Sequence, residues 1–169
     1  MSGKGIIYWD SCIFIAHLKN EVRQDPQDML GINELVDSFD LGQIDLVTST
    51  ITFTEVLRTT ITPQDYERFK SFFFRRNCHL MDVTRRIAEI SHEIRNFYYQ
   101  PGGPVLGTPD CIHLATAISF QCDVLYTFDG CGKSTKPGLL SLHSPIANRY
   151  DLSIQKPIPT RPPQLSLNL

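Results

Sequence analysis

Four short apolar runs divide the chain, and each is separated from the next by residues with helical spacing. The runs are "GIIYW" at 5–9, "QIDLVTST" at 43–50, "HLMDV" at 79–83 and "DVLYTFD" at 123–129. The first, second and fourth are rich in β-branched and aromatic residues, and all four are short enough for a strand. Between them, apolar residues recur at three and four. Ile13, Ala16 and His17 do so after the first run; Tyr66, Phe69, Phe72 and Phe73 before the third; Ile87, Ile90 and Ile94 after it. Parallel neighbours need long crossovers and helices supply them, so the pattern predicts an α/β fold with a central, mainly parallel sheet flanked by helices.

Within that frame, a first helix follows Asp10. A second is expected from Pro26 to about Phe39 with Met29, Leu30, Leu35 and Val36 inward, and "ITFTEVLRTT" suits another, with Phe53, Val56 and Leu57 on one side. "TPQDYERFKSFFFRR" and "TPDCIHLATA" each open on a Thr-Pro helix start, Thr108 serving as cap for the second. "LLSLH" at 139–143 reads as a last edge strand, and "PIPTRPPQLSLNL" is too proline-rich for regular packing. Two regions follow, a domain over 1–145 and an extended proline-rich tail over 146–169.

The 169 residues are 41% hydrophobic and 20% charged, an ordinary globular composition that can bury a core without disulfides. No run approaches the ~20 apolar residues of a membrane span, and "MSGKGIIYWD" reaches an acid too early for a signal peptide. A cytoplasmic protein is expected. Five cysteines without paired or zinc-like spacing are expected to be reduced, Cys12, Cys111 and Cys122 as small buried hydrophobes. Net charge is −2, yet from Arg58 to Arg95 eight cations face five acids. That stretch offers Arg58, Arg85 and Arg86 as candidate contacts for a phosphate backbone. "GKST" at 132–135 lacks the spacing and following helix of a nucleotide loop.

Acids stand at informative places. Asp10 and Asp129 end the first and fourth apolar runs, and Asp110 starts the helix that leads into the fourth. In parallel sheets ligands collect beyond the carboxyl ends of the strands, which puts all three near one rim. Singly each has a plainer explanation: a helix cap for Asp10, a dipole partner for Asp110, a turn for Asp129, and for Glu55 a pairing with Arg58. Together, converging carboxylates repel unless a cation intervenes, and oxygen ligands favour Mg²⁺ or Mn²⁺ over zinc. One or two such ions suit phosphodiester hydrolysis by activated water.

"YWDSCIFIAHL", "TFTEVLR", "TPDCIHLATA" and "LYTFD" resemble, in order, the acidic motifs of PIN-domain ribonucleases, above all the VapC-type toxins of toxin–antitoxin pairs. The likeness covers roughly residues 5 to 143. It implies a PIN-like three-layer fold and makes Asp10, Glu55, Asp110 and Asp129 the catalytic, metal-binding acids of a Mg²⁺- or Mn²⁺-dependent endoribonuclease. Ser11 and Thr127 match supporting hydroxyl positions, and His113, three residues after Asp110, takes a structural or supporting role. The resemblance further implies an RNA substrate, a homodimer and a protein antitoxin lying across the acidic cleft. The alternative is a PIN-like module that binds RNA or protein without cutting.

Overall fold

A computed structural model describes residues 4–57, 60–102, 105–130 and 137–160. Five parallel strands form one sheet in the order β3-β2-β1-β4-β5. They are β1 (Gly5–Trp9), β2 (Ile44–Ser49), β3 (Cys78–Met81), β4 (Val124–Tyr126) and β5 (Ser153–Gln155). The chain starts at the centre, steps outward through β2 and β3, then returns to the other side of β1. β1 is therefore paired on both edges, Tyr8 lying opposite Val47 and Leu125. Strand order reverses between β1 and β4, and such a switch point opens a crevice at the carboxyl ends.

Helices α1 (Ser11–Lys19), α2 (Pro26–Asp40), α3 (Thr52–Glu55) and α4 (Pro63–Phe72) lead up to β3; α5 (Arg85–Phe97) and α6 (Thr108–Ser119) separate β3 from β4. Side-chain alternation along β1 sorts two cores. Ile7 and Trp9 face Ile13, Phe14, Ile32, Phe69 and Phe72, whereas Tyr8 faces Ile87, Ile90, Ile94, Leu106 and Leu114. The result is helices, sheet, helices. On the first face Phe14 is fully buried, its ring 5.2 Å from Trp9, 5.5 Å from Phe69 and 5.6 Å from Phe72, mostly edge to face. On the second, the isoleucines of α5 are buried at the expected spacing.

The helix starts are partly as read. Thr62 and Thr84 cap α4 and α5, each accepting from the amide three residues on. For α6 the cap is Gly107, and Thr108 is already helical. Pro109 tolerates the second position as well as the first, because the first-turn amides have no helical acceptor in either case. α2 turns Asp28, Gly31, Ile32 and Phe39 inward, leaves Met29, Leu35 and Val36 at the margin and exposes Leu30. α3 is one turn long; Val56 is buried just beyond it but Leu57 is exposed.

"LLSLH" is not a strand. Leu139–Ser141 is a 3-10 turn, because the amides of Leu139 and Leu140 are taken by the Asp129 side chain and carbonyl at 3.0 Å each. Gly138 permits this approach, since a Cβ there would lie 1.3 Å from the Gly130 carbonyl oxygen. The edge strand comes instead from the expected tail: Ser153, Ile154 and Gln155 pair with Val124, Leu125 and Tyr126. Only one of the three is apolar, which suits an edge and hides the strand from a search for apolar runs. Beyond it the chain crosses α2 at Gly31, where a Cβ would meet the Pro157 carbonyl oxygen at 2.3 Å. Lys156 reaches the buried Asp28 at 3.3 Å, and the Thr160 amide and hydroxyl donate to Glu34 at 2.7 and 2.8 Å. The part of 146–169 up to Thr160 is thus fastened to the domain. No helix among the described residues is long and apolar enough to cross a membrane.

The cysteines Cys12, Cys78, Cys111 and Cys122 are free thiols, and burial pushes Cys78 and Cys122 up to about 12. Cys131, "GKST" and the last nine residues lie outside the described residues.

Two outcomes follow from the packing. Phe14→Ala removes a ring from the middle of the aromatic cluster and is expected to cost about 3–5 kcal/mol in urea denaturation. His17, against Phe72 with ring centroids 5.7 Å apart, is held below its ordinary value by burial and the Arg68 charge, with Asp40 opposing. Its proton therefore binds the unfolded chain better. Its neutral-state contribution is complete above a pH of about 6.5 and is lost as pH falls toward the folded value. Melting temperatures of wild type minus His17→Gln, measured from pH 7.5 to 5.5, should shrink with acid.

Candidate functional site

Asp10 is the first residue after β1 and precedes α1, so its backbone is fixed at the switch point. Its amide donates to the Tyr126 carbonyl at 3.2 Å, which ties the ends of β1 and β4 together. The carboxylate is buried and well supplied with donors. Ser11 Oγ donates to Oδ1 at 3.2 Å, and Thr127 Oγ1 to Oδ2 at 2.8 Å. Cys12 Sγ lies 3.4 Å from Oδ2 and accepts the Phe128 amide at 3.2 Å. Burial, then the Asp10 charge, raises the Cys12 thiol well above its ordinary value and keeps it protonated. Cys12 is thus a polar bridge between two strand ends, where the sequence suggested a plain hydrophobe.

Glu55 arrives from the other neighbour of β1. It closes the single turn α3 after β2, where Thr48 Oγ1 donates to the Trp9 carbonyl at 2.9 Å and contacts Thr52 Oγ1 at 2.9 Å. α6 runs antiparallel to the strands, so its N-terminal turn, carrying Asp110, lies at the same rim. Asp110 is buried, and His113, one turn on, is fully so. The positive end of the helix dipole favours acids there.

His113 joins these parts. Nε2 lies 2.7 Å from Glu55 Oε2 and 3.4 Å from Asp10 Oδ1, and Nδ1 lies 2.6 Å from the hydroxyl of the fully buried Tyr8. Burial alone would lower the imidazole's affinity for a proton. The Glu55 hydrogen bond and the charges of Asp10, Glu55 and Asp110 outweigh it and hold His113 above its ordinary value. Tyr8 moves well above its own, chiefly by burial and next by the Asp10 charge, so its hydroxyl keeps its proton.

One potential ligand atom from each of Asp10, Glu55 and His113 falls within 4.8 Å of the others. Asp110 faces His113 from the preceding turn. Asp129 is placed differently: its amide donates to Thr127 Oγ1 at 2.9 Å, and its Oδ2 accepts from Leu139. Through Thr127 it shares one network with Asp10. Two carboxylates meeting at a histidine, with a third beside it, form a donor set that fits a divalent cation.

Of the candidate RNA contacts, Arg58 lies outside the described residues. Arg85 and Arg86 fall in the first turn of α5, which rises from the carboxyl end of β3 at the same rim. Arg85 pairs with Glu89 at 2.8 Å while remaining exposed. Much of the basic stretch is paired in the same way, Arg68 with Asp65, Lys70 with Glu67 and Arg75 with Asp40. Tyr8 escaped the sequence reading. Its signal was a hydroxyl in the middle of an apolar strand, on the face opposite Trp9.

A parallel α/β sheet with acids gathered where its strand order reverses is the architecture of PIN domains. Residues 7–130 match that family, and the chain belongs to it. Solved structures share the fold at low identity. VapC20 of Mycobacterium tuberculosis, described as a sarcin-ricin loop cleaving toxin, is 16% identical with a TM-score of 0.55, covering 73% of this chain and 90% of that one. FitAcB from Neisseria gonorrhoeae is 16% identical with a TM-score of 0.53, covering 89% and 97%. VapBC2 from Rickettsia felis, solved bound to a DNA fragment from its promoter, is 14% identical with a TM-score of 0.53, covering 72% and 86%. No curated protein matches by sequence.

Thr127→Val deletes a donor to a buried carboxylate and an acceptor for the Asp129 amide. In urea denaturation without divalent ions it is expected to lose about 1–3 kcal/mol, with Thr127→Ser close to wild type.

Proposed function

We propose that the protein is a metal-dependent endoribonuclease and the toxin of a type II toxin–antitoxin pair. The observation that carries this is the meeting of Asp10 and Glu55 at His113, beside Asp110, in the switch-point crevice of a PIN domain. Asp10, Glu55 and Asp110 would hold Mg²⁺ or Mn²⁺, with Asp129 at the outer edge of the same network. A bound divalent ion supplies Lewis acidity and a water of lowered pKa, which is what phosphodiester hydrolysis requires.

The chain's own residues do the rest. Ser11 and Thr127 aim the Asp10 oxygens, and His113 restrains Glu55. Arg85 and Arg86 stand at a helix N-terminus, where cations oppose the dipole, and we assign them to the phosphate backbone of RNA. Structures of the same fold include VapBC2 and a toxin–antitoxin complex from Klebsiella pneumoniae, which supports a protein antitoxin as partner; in this reading it lies over the acidic crevice. A homodimer acting in the cytoplasm completes the reading.

Purified protein is expected to cut single-stranded or looped RNA with Mg²⁺ or Mn²⁺ and to stop on addition of EDTA. Asp10→Asn and Asp110→Asn should each lower the rate by several orders of magnitude, because loss of a ligand charge weakens the ion as well. Cleavage that persists in EDTA rules the mechanism out, and RNA binding without cleavage points to a non-cutting module.

A further inference from the structure

The metal reading leaves a buried group unexplained. Tyr8 is fully buried on the α5–α6 side of the sheet, and its hydroxyl lies 2.6 Å from His113 Nδ1. A phenol in that position needs partners: Thr48 and the Ser49 backbone hydrogen-bond to it from its own sheet, and across the layer it meets the imidazole that touches two acids of the site. Resting on the reading above, we infer that Tyr8 and His113 form a positioning relay that preorganises Glu55 for the cation, and that His113 is not itself a metal ligand.

The chemistry of the two ring nitrogens gives the direction. Nε2 lies 2.7 Å from Glu55 Oε2 and 3.4 Å from Asp10 Oδ1. An ionised carboxylate only accepts, so a hydrogen bond this short requires the proton on Nε2. Both ring nitrogens thus already have a protein partner, Nε2 the Glu55 carboxylate and Nδ1 the Tyr8 hydroxyl at 2.6 Å. Nδ1 faces the Tyr8 hydroxyl, which fixes the ring plane from behind.

Glu55 needs such a restraint. It ends a four-residue helix, too short to hold a side chain by its own hydrogen bonding, and it is the least buried of the three. Asp10, in contrast, is held by Ser11 and Thr127 whether or not His113 is present. The relay therefore runs from the sheet core (Tyr8) through α6 (His113) to the acid on the weakest scaffold. Partners behind a metal's ligands that orient them commonly change affinity by roughly 10–100-fold when removed.

The test is Mn²⁺ binding to the full chain, by calorimetry and electron paramagnetic resonance, for wild type, Tyr8→Phe, His113→Gln and His113→Leu. Each variant is first checked for a cooperative thermal transition. Gln can present an N–H toward Glu55, so His113→Gln should bind within about threefold of wild type, while Tyr8→Phe and His113→Leu should bind roughly 10–100-fold more weakly. The wild-type spectrum should show no hyperfine coupling to a directly bound nitrogen. A nitrogen coupling, or a His113→Gln as weak as His113→Leu, makes His113 a ligand and overturns the relay. Folded Tyr8→Phe and His113→Leu that bind like wild type also overturn it, while leaving the metal reading intact. A wild type that binds no Mn²⁺ removes the metal reading and the relay with it.

Discussion

Carboxylates brought together in a half-buried crevice repel one another, and most of the rim is arranged to offset that repulsion. Thr127, Ser11 and Cys12 surround Asp10 with donors, the N-terminal turn of α6 contributes its dipole, and His113 lies between Asp10 and Glu55 with its charged form favoured. None of these groups is adjacent in sequence to all the others. They meet because β1 is paired on both edges, so residues after β1, β2 and β4 converge while α6 delivers its first turn to the same end. The sheet order is thus also the order in which charge is assembled.

That dependence explains what could be read from the chain beforehand. Strands buried on both faces are nearly continuous apolar runs, and β1, β2 and β4 declared themselves in this way, while the edge strand β3, with His79 exposed, carried a shorter run. Asp10 and Asp110 were legible because a strand end or helix start fixes where a side chain emerges. β5 was not, since an edge strand of Ser153, Ile154 and Gln155 needs little hydrophobicity, and its pairing depends on a segment nearly thirty residues from β4. "LLSLH" carried the stronger apolar signal yet lost its amides to Asp129, a contact that periodicity cannot register.

The histidine shows a second limit. Its place on a packed helix suggested a supporting role, and spacing alone could relate it only to Asp110. Its partners, Tyr8 and Glu55, come from 105 and 58 residues away. Long-range polar contacts of this kind leave no local pattern, whereas the isoleucine stripe of α5 does. Sequence spoke for the scaffold and for which acids lie at its rim; the wiring between them required the tertiary fold.

The backbone bond from the Thr127 amide to the Gln155 carbonyl, 3.1 Å long, has a bearing on biosynthesis. Asp10 leaves the ribosome before the other acids of the crevice, and the strand that frames Thr127 emerges after all of them. Messages cut short between Asp129 and β5 would yield polypeptides bearing every acid of the crevice yet lacking the strand that holds the Thr127 amide beside Asp10. The backbone partner of Thr127 is thus supplied only once synthesis has passed β5.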